Sequence, residues 1–214
     1  MPSSNKIVEL VNRWAEMESI HPDLTLERFC WHLLGRMPEY GSEHPYSLNA
    51  RLAGLAGRLS KFATLYSKKA LESFTLNTVE EWVYLVRLQQ LGQPKKSELI
   101  FELISEFPSG SEIIKRLIKK GLVQEYRDPD DRRSKRIEIT PQGRHLVFAS
   151  FPEMERVGEM AFGILTDDEK IVFLKILEKL DRHHGQHYKA VRQAGFREAY
   201  RLLKDTGDET PEFD

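Results

Sequence analysis

The sequence of 214 residues has one cysteine, Cys30, and no stretch approaching the roughly 18 consecutive apolar residues that a membrane span requires. A lone thiol excludes an intrachain disulfide and a cysteine-rich zinc site. Excess charge is also missing. Lys+Arg number 32 against Asp+Glu 33, a formal net charge of -1, which excludes a globally basic coat or a polyacidic chain but not a local basic patch. There is no glycine-rich phosphate loop, no nucleophile–base–acid set and no paired-carboxylate motif, so neither an enzyme nor a cofactor is expected. Internal repeats and low-complexity tracts are absent too. The opening MPSSNKIVELVNRWAEME turns charged before a signal-peptide core can form, which leads to the expectation of a cytoplasmic protein.

What is present is a soluble composition, 40% hydrophobic and 30% charged, arranged mostly at helical spacing. Ile7, Leu10, Val11 and Trp14 form one short stripe, and Leu26, Phe29, Trp31, Leu33 and Leu34 a second after the His21-Pro22 break. Breakers in 38–47 read as a loop. A long pattern from Ser47 carries Leu52, Leu55, Leu59, Phe62, Leu65 and Tyr66. Thr78 and Glu81 have capping-box spacing before a helix to Leu91, which Gly92 and Pro94 end. The next helix is read as Ser97–Phe107. Pro108 and the pair Ser109/Glu112, again at capping-box spacing, mark the start of another, which Gly121 stops.

The period then switches from near 3.6 to two. Residues 122–126 and 135–139 are expected to be strands joined by a charged turn, after which Thr140 opens a long helix and Thr166/Glu169 a further one. The ten final residues hold five acids and no base and are expected to fray.

Charge resolved along the chain is uneven. Residues 111–145 hold 10 basic and 6 acidic side chains, while residues 1–50 hold 4 and 7. Three short helices followed by a hairpin is the order of a winged helix-turn-helix, and the basic surplus falls on its last helix and its wing. A helix of that kind fits a B-DNA major groove about 12 Å wide, and a hairpin tip reaches the neighbouring minor groove. Ser109, Ser111, Lys115 and Lys119 are the contact candidates on the helix, and Arg132, Arg133, Lys135 and Arg136 those on the wing. In isolation such a basic run is a solvated loop; its place between two strands argues for DNA.

The run LIKKGLVQEYRDPDDRRSKRIEITPQG, residues 117–143, resembles the wing of the MarR family of bacterial transcription regulators. The family's DxR element falls on Asp131-Arg132-Arg133 and its LT-x-x-G exit on Ile139-Thr140-Pro141-Gln142-Gly143, with Ile in the Leu place. The likeness is specific over 95–143 and looser over 47–180. It implies a mainly α fold with a two-stranded wing and a homodimer whose N- and C-terminal helices intertwine. It further implies a pseudo-palindromic double-stranded DNA operator and a repressor more than an activator, with a small-molecule effector in some members. It also gives Arg133 insertion into the minor groove, Asp131 the orienting of that arginine, and Arg116 either bracing of the wing through carboxylates or a phosphate contact. On this basis 75–143 is the DNA-binding domain, 47–74 and 144–190 supply dimerisation helices, 1–46 is an N-terminal helical extension and 191–214 a C-terminal one.

Some residues fall outside this pattern. Glu112 departs from the basic or neutral residue of many relatives, and either caps its helix or accepts from a cytosine amino group, while Gly110 weakens the first turn. His183 and His187 have i, i+4 spacing, but Gly185 is expected to interrupt that helix and no metal is assigned. Cys30 beside His32 is expected to be buried packing rather than a redox sensor. Trp14, Trp31, Phe62, Tyr66, Trp82 and Tyr84 are enough aromatics to line an effector pocket, though core packing accounts for them. The acidic flanks and Glu112 also suit a winged protein-interaction module that does not read DNA.

Overall fold

The computed structural model describes residues 3–35, 45–129, 131 and 133–204, so most of the loop expected at 38–47, the acidic tail and Arg132 lie outside the described residues. Among the described residues there are nine helices and one two-stranded sheet, in a chain that divides into two compact units, Met1–Ala56 and Gly57–Asp214. In the first unit, helices α1 (Ser3–Ile20) and α2 (Leu26–Gly35) follow the two sequence stripes. Trp14 meets Phe29 edge-on at 5.0 Å, and Phe29 and Met17 are buried. Thr25 caps α2 by accepting the Arg28 N–H at 3.2 Å. Cys30 is exposed on α2 rather than buried, because it lies off the face that carries Phe29. Helix α3 (Leu48–Ala70) contains the boundary between the units.

The second unit contains α4 (Val79–Leu91), α5 (Lys96–Glu102), α6 (Phe107–Lys119), β1 (Val123–Arg127), β2 (Lys135–Ile139), α7 (Pro141–Phe162), α8 (Asp167–Gln193) and α9 (Phe196–Lys204). One core joins the winged elements: Leu85 and Leu88 from α4, Leu99 and Ile100 from α5, Ile114 and Leu117 from α6, Ile137 and Ile139 from β2, Val147 from α7. Each side chain fully buried in this way contributes roughly 1.5–3 kcal/mol of transfer free energy. The strands pair antiparallel with Val123 opposite Ile139 and Arg127 opposite Lys135, so Val123, Ile137 and Ile139 turn to the core. A bridge between Lys95 and Arg136, with Ile137 N–H donating to Pro94 O at 3.1 Å, adds the segment before α5 to the wing edge.

Several boundaries differ from the sequence reading. Helix α5 ends at Glu102, not Phe107, because the chain must reverse before α6. Leu103 closes it and Ile104 takes the left-handed conformation, φ 53°, while Ser105 N–H bonds Ile100 O and Ile104 N–H bonds Phe101 O. This is the hydrogen-bond pattern of a Schellman stop with a β-branched residue where glycine is preferred, a strained position. Helix α8 runs through Gly185 to Gln193 without interruption, and α9 follows it, an element the sequence reading lacked. A helical glycine costs only about 1 kcal/mol relative to alanine, too little to break a helix of this length. The Thr166/Glu169 capping box forms as read, with both reciprocal bonds present.

Candidate nucleic-acid interface

Helix α6 starts one residue earlier than expected, at Phe107, with Glu106 as its cap residue and no side-chain capping bond. Ser109 therefore sits inside the first turn, exposed, and the Ser109/Glu112 box does not form. Gly110, read as a weakness in that turn, is a packing requirement. A Cβ there would lie 2.5 Å from the Tyr84 hydroxyl and 2.8 Å from an Ile100 methylene, so α6 approaches α4 and α5 closely because this residue has no side chain.

Gly110, Ile113, Ile114 and Leu117 bury one side of α6. The opposite side presents Ser109, Glu112, Lys115 and Lys119 to solvent. Lys115 is paired with Glu112 one turn back. Ser111 differs from its neighbours: its hydroxyl is covered by protein, turned from the exposed stripe. The helix ends as the sequence anticipates. Gly121, φ 70°, donates to Ile118 O at 2.9 Å and Leu122 N–H to Leu117 O at 3.0 Å, a Schellman motif whose Leu122 and Leu117 side chains both enter the core.

The other cations of α6 are held from below. Glu81 of α4, 0% exposed, accepts Arg116 Nε at 2.7 Å and Lys120 Nζ at 2.5 Å, and the Asn77 N–H at 2.9 Å. Burial alone raises the Glu81 pKa, but the hydrogen bonds from Lys120, Arg116 and Asn77 outweigh it and hold the carboxyl below its ordinary value. Arg116 thus braces α6 onto α4 rather than the wing. Thr78 caps α4 by accepting from Glu81 N–H, while the Glu81 side chain bonds one residue earlier than a capping box would have it.

At the wing, two aspartates shape the turn. Asp128, 1% exposed, accepts the Asp131 N–H at 3.0 Å and pairs with Arg136 Nε at 2.8 Å. Asp131 accepts the Arg133 N–H at 3.1 Å and the Ser134 hydroxyl at 2.6 Å. The Ser134 and Arg133 bonds lower the Asp131 pKa, keeping it ionised. Lys95 Nζ lies 3.9 Å from both carboxylates. Asp131 therefore acts on Arg133 through its backbone, fixing the turn from which an exposed arginine side chain projects. Lys135 pairs with Glu125 across the hairpin. Arg136 is turned inward, onto Asp128 and the Gln93 carbonyl at 2.9 Å. The supporting roles of Glu81, Lys95, Lys120 and Asp128 were not read from the sequence: Glu81, Lys95 and Lys120 pair with residues distant in the chain, and Asp128 with Arg136 across the hairpin.

The exit motif joins wing to α7. Thr140 donates its hydroxyl to Gly121 O at 2.7 Å and accepts the Gly143 N–H at 3.1 Å, while Thr140 N–H bonds Leu122 O at 3.0 Å. One threonine thereby ties the end of α6 to the start of α7.

The remaining candidates in the second unit make separate contacts. Phe62 stacks on Tyr66, Trp82 meets Phe151 and donates to the buried Ser150 hydroxyl at 2.8 Å, and Tyr84 lies in the core. His187 Nδ1–H donates to the His183 carbonyl at 2.7 Å, and among the described residues no group of three or more His, Cys, Asp or Glu side chains is placed to hold a metal. Among those residues, too, no helix is long and apolar enough to cross a membrane.

A glycine-stopped helix with a cationic outer stripe, followed by a braced basic wing, defines a winged helix DNA-binding module. Comparison with known proteins agrees. Residues 69–143 match the winged helix DNA-binding domain family. The chain is 31% identical to the HTH-type transcriptional repressor NicR of Pseudomonas putida over 47% of its own length and 63% of NicR. It is 30% identical to the HTH-type transcriptional regulator YsmB of Bacillus subtilis over 48% of its own length and 70% of that protein. Among solved structures, a cysteine-to-serine mutant of Escherichia coli MarR in complex with operator DNA superposes with a TM-score of 0.57 at 18% identity, covering 61% of this chain and 93% of that one. The chain belongs to the HTH-type transcriptional regulators with a winged helix DNA-binding domain, and it shares the fold of MarR.

Proposed function

We propose that the protein is a homodimeric, sequence-specific repressor working in the cytoplasm, which lays α6 in the major groove and the Arg133 side chain in the adjacent minor groove of a pseudo-palindromic operator. The observation that carries this reading is the division of labour among the cations. Buried carboxylates hold Arg116, Lys120 and Arg136 inward, while Lys115, Lys119 and Arg133 remain on the outer surface. A narrow minor groove concentrates negative potential, which suits a guanidinium on a rigid turn. Ser109, Lys115 and Lys119 supply phosphate or base-edge contacts, Lys135 adds charge on the wing, and Arg132, next to Arg133 in the sequence, is proposed as a further cation.

Dimerisation is supported by helices that their own chain leaves uncovered. Over its 27 residues α8 has no buried side chain, and its Leu174, Leu177 and Leu180 are 43–55% exposed, while Phe148 of α7 and Ile164 just before α8 are 78% and 94% exposed. An apolar stripe of that length asks for a second copy. Two-fold pairing then predicts half-sites about one helical turn, roughly 34 Å, apart. Repression is carried over from the repressor NicR.

The Arg133→Ala protein is expected to bind an operator about tenfold or more weakly, with its dimer mass unchanged by analytical ultracentrifugation. Operator affinity equal to wild type removes the wing from the interface.

A further inference from the structure

We infer that Glu112 is a specificity-determining residue, whose carboxylate selects cytosine at one position of each half-site by accepting a hydrogen bond from its N4 amino group. The inference rests on the reading of α6 as the helix that enters the major groove. Glu112 is the only acidic side chain on α6, is 60% exposed, and stands in the outward stripe between Ser109 and Lys115. Among the described residues its one structural partner is Lys115, in an exposed i, i+3 ion pair, and it neither caps the helix nor ties α6 to another element. The helix cap is Glu106, and Glu112 lies past the first turn, beyond reach of the orphan N–H groups.

A carboxylate facing DNA is repelled by every phosphate, so its presence in the groove needs a compensating donor. Major-groove edges offer two, the amino groups of cytosine and adenine. Adenine sets its N7 acceptor beside the amino group, where a second carboxylate oxygen meets a lone pair. Cytosine has a C–H at the corresponding place and presents no such repulsion, which favours cytosine.

The surroundings keep Glu112 an acceptor. The hydrogen bond from Lys115, together with the positive charges of Lys115, Arg116 and Lys96, holds its pKa below the ordinary value. Lys115 also offsets the phosphate repulsion and, bonded one turn away, limits the rotamers from which Glu112 addresses the bases.

The test is selection of binding sites from a random duplex pool by the full-length wild-type, Glu112→Gln and Glu112→Ala proteins. The wild type is expected to enrich cytosine at one symmetric position per half-site by about tenfold or more over other bases. In Glu112→Ala that preference disappears while the remaining consensus persists, and binding to sites with other bases there tightens. Glu112→Gln, which adds a donor, is expected to shift the preference toward adenine. A wild-type consensus whose every position survives Glu112→Ala overturns the inference alone, as does a gain in affinity that is uniform across sequences. A wild-type protein that enriches no sequence overturns it together with the underlying reading of α6.

Discussion

Gly143→Ala is expected to destabilise the protein by about 3 kcal/mol, more than any exposed charge reversal, although it adds a single methyl group. A Cβ at this position would lie 2.2 Å from the Leu122 carbonyl oxygen and 2.8 Å from an Ile139 methylene. The first of these is backbone, and it already accepts the Thr140 N–H, so it has nowhere to retreat. Relief would require moving the start of α7 away from the wing, which breaks the Thr140 bonds to Gly121 and Gly143 and opens the core at Ile139 and Val147. Gly158 supplies the control on the same helix, because a Cβ there meets nothing within 4 Å. Gly158→Ala should be neutral or stabilising by up to about 1 kcal/mol from helix propensity. Urea unfolding of the two variants should separate them widely. Equal midpoints would show that the wing and α7 are not locked as described.

Glu81→Gln is expected to cost about 2–4 kcal/mol at neutral pH, because the buried carboxylate is the common acceptor for Arg116 and Lys120 and an amide can neither match its charge nor accept from both as strongly. The two cations retain partial access to water, with side chains 36% and 21% exposed, which keeps the loss below that of a fully buried pair. The pH dependence has a definite sign. The Glu81 pKa is lowered by folding, so the unfolded chain binds more protons in the window between the two values. Its contribution is complete above the unfolded value and is lost as pH falls through the folded one. The stability gap between wild type and Glu81→Gln should therefore close as pH drops through and below the usual carboxylate range. A gap that stays constant with pH would mean the carboxylate charge is not what holds α6.

Local chemistry made the frame of the fold legible before any coordinates. As helix stop and helix cap, Gly121 and Thr140 bond residues three or four positions away, so those roles follow from residue type and spacing, whereas the Thr140 bonds to Gly121 and Leu122 do not. The period change at 122 marks the wing for the same reason. What escaped is long-range or competitive. Glu81 reads as half of a capping box, yet its side chain bonds residues 35 and 39 positions away. Ile104 continues an apolar helical pattern, but tertiary packing of α6 forces it into a left-handed turn. Gly110 looks like a propensity defect until Tyr84 and Ile100 are seen against it. Arg136 and Arg133 are indistinguishable as charges in sequence. Only the buried Asp128 assigns one to the protein interior and leaves the other outside.

The salt dependence of DNA binding by a Lys115→Ala, Lys119→Ala double variant, on the duplex that the wild type enriches, tests most directly whether the outer stripe of α6 lies on DNA. If both lysines neutralise phosphates, the log–log slope of affinity against salt should become shallower by about 1.8, at roughly 0.9 per phosphate contact, with the fold unchanged by circular dichroism. A slope equal to that of the wild type would contradict the placement of α6 in the DNA interface.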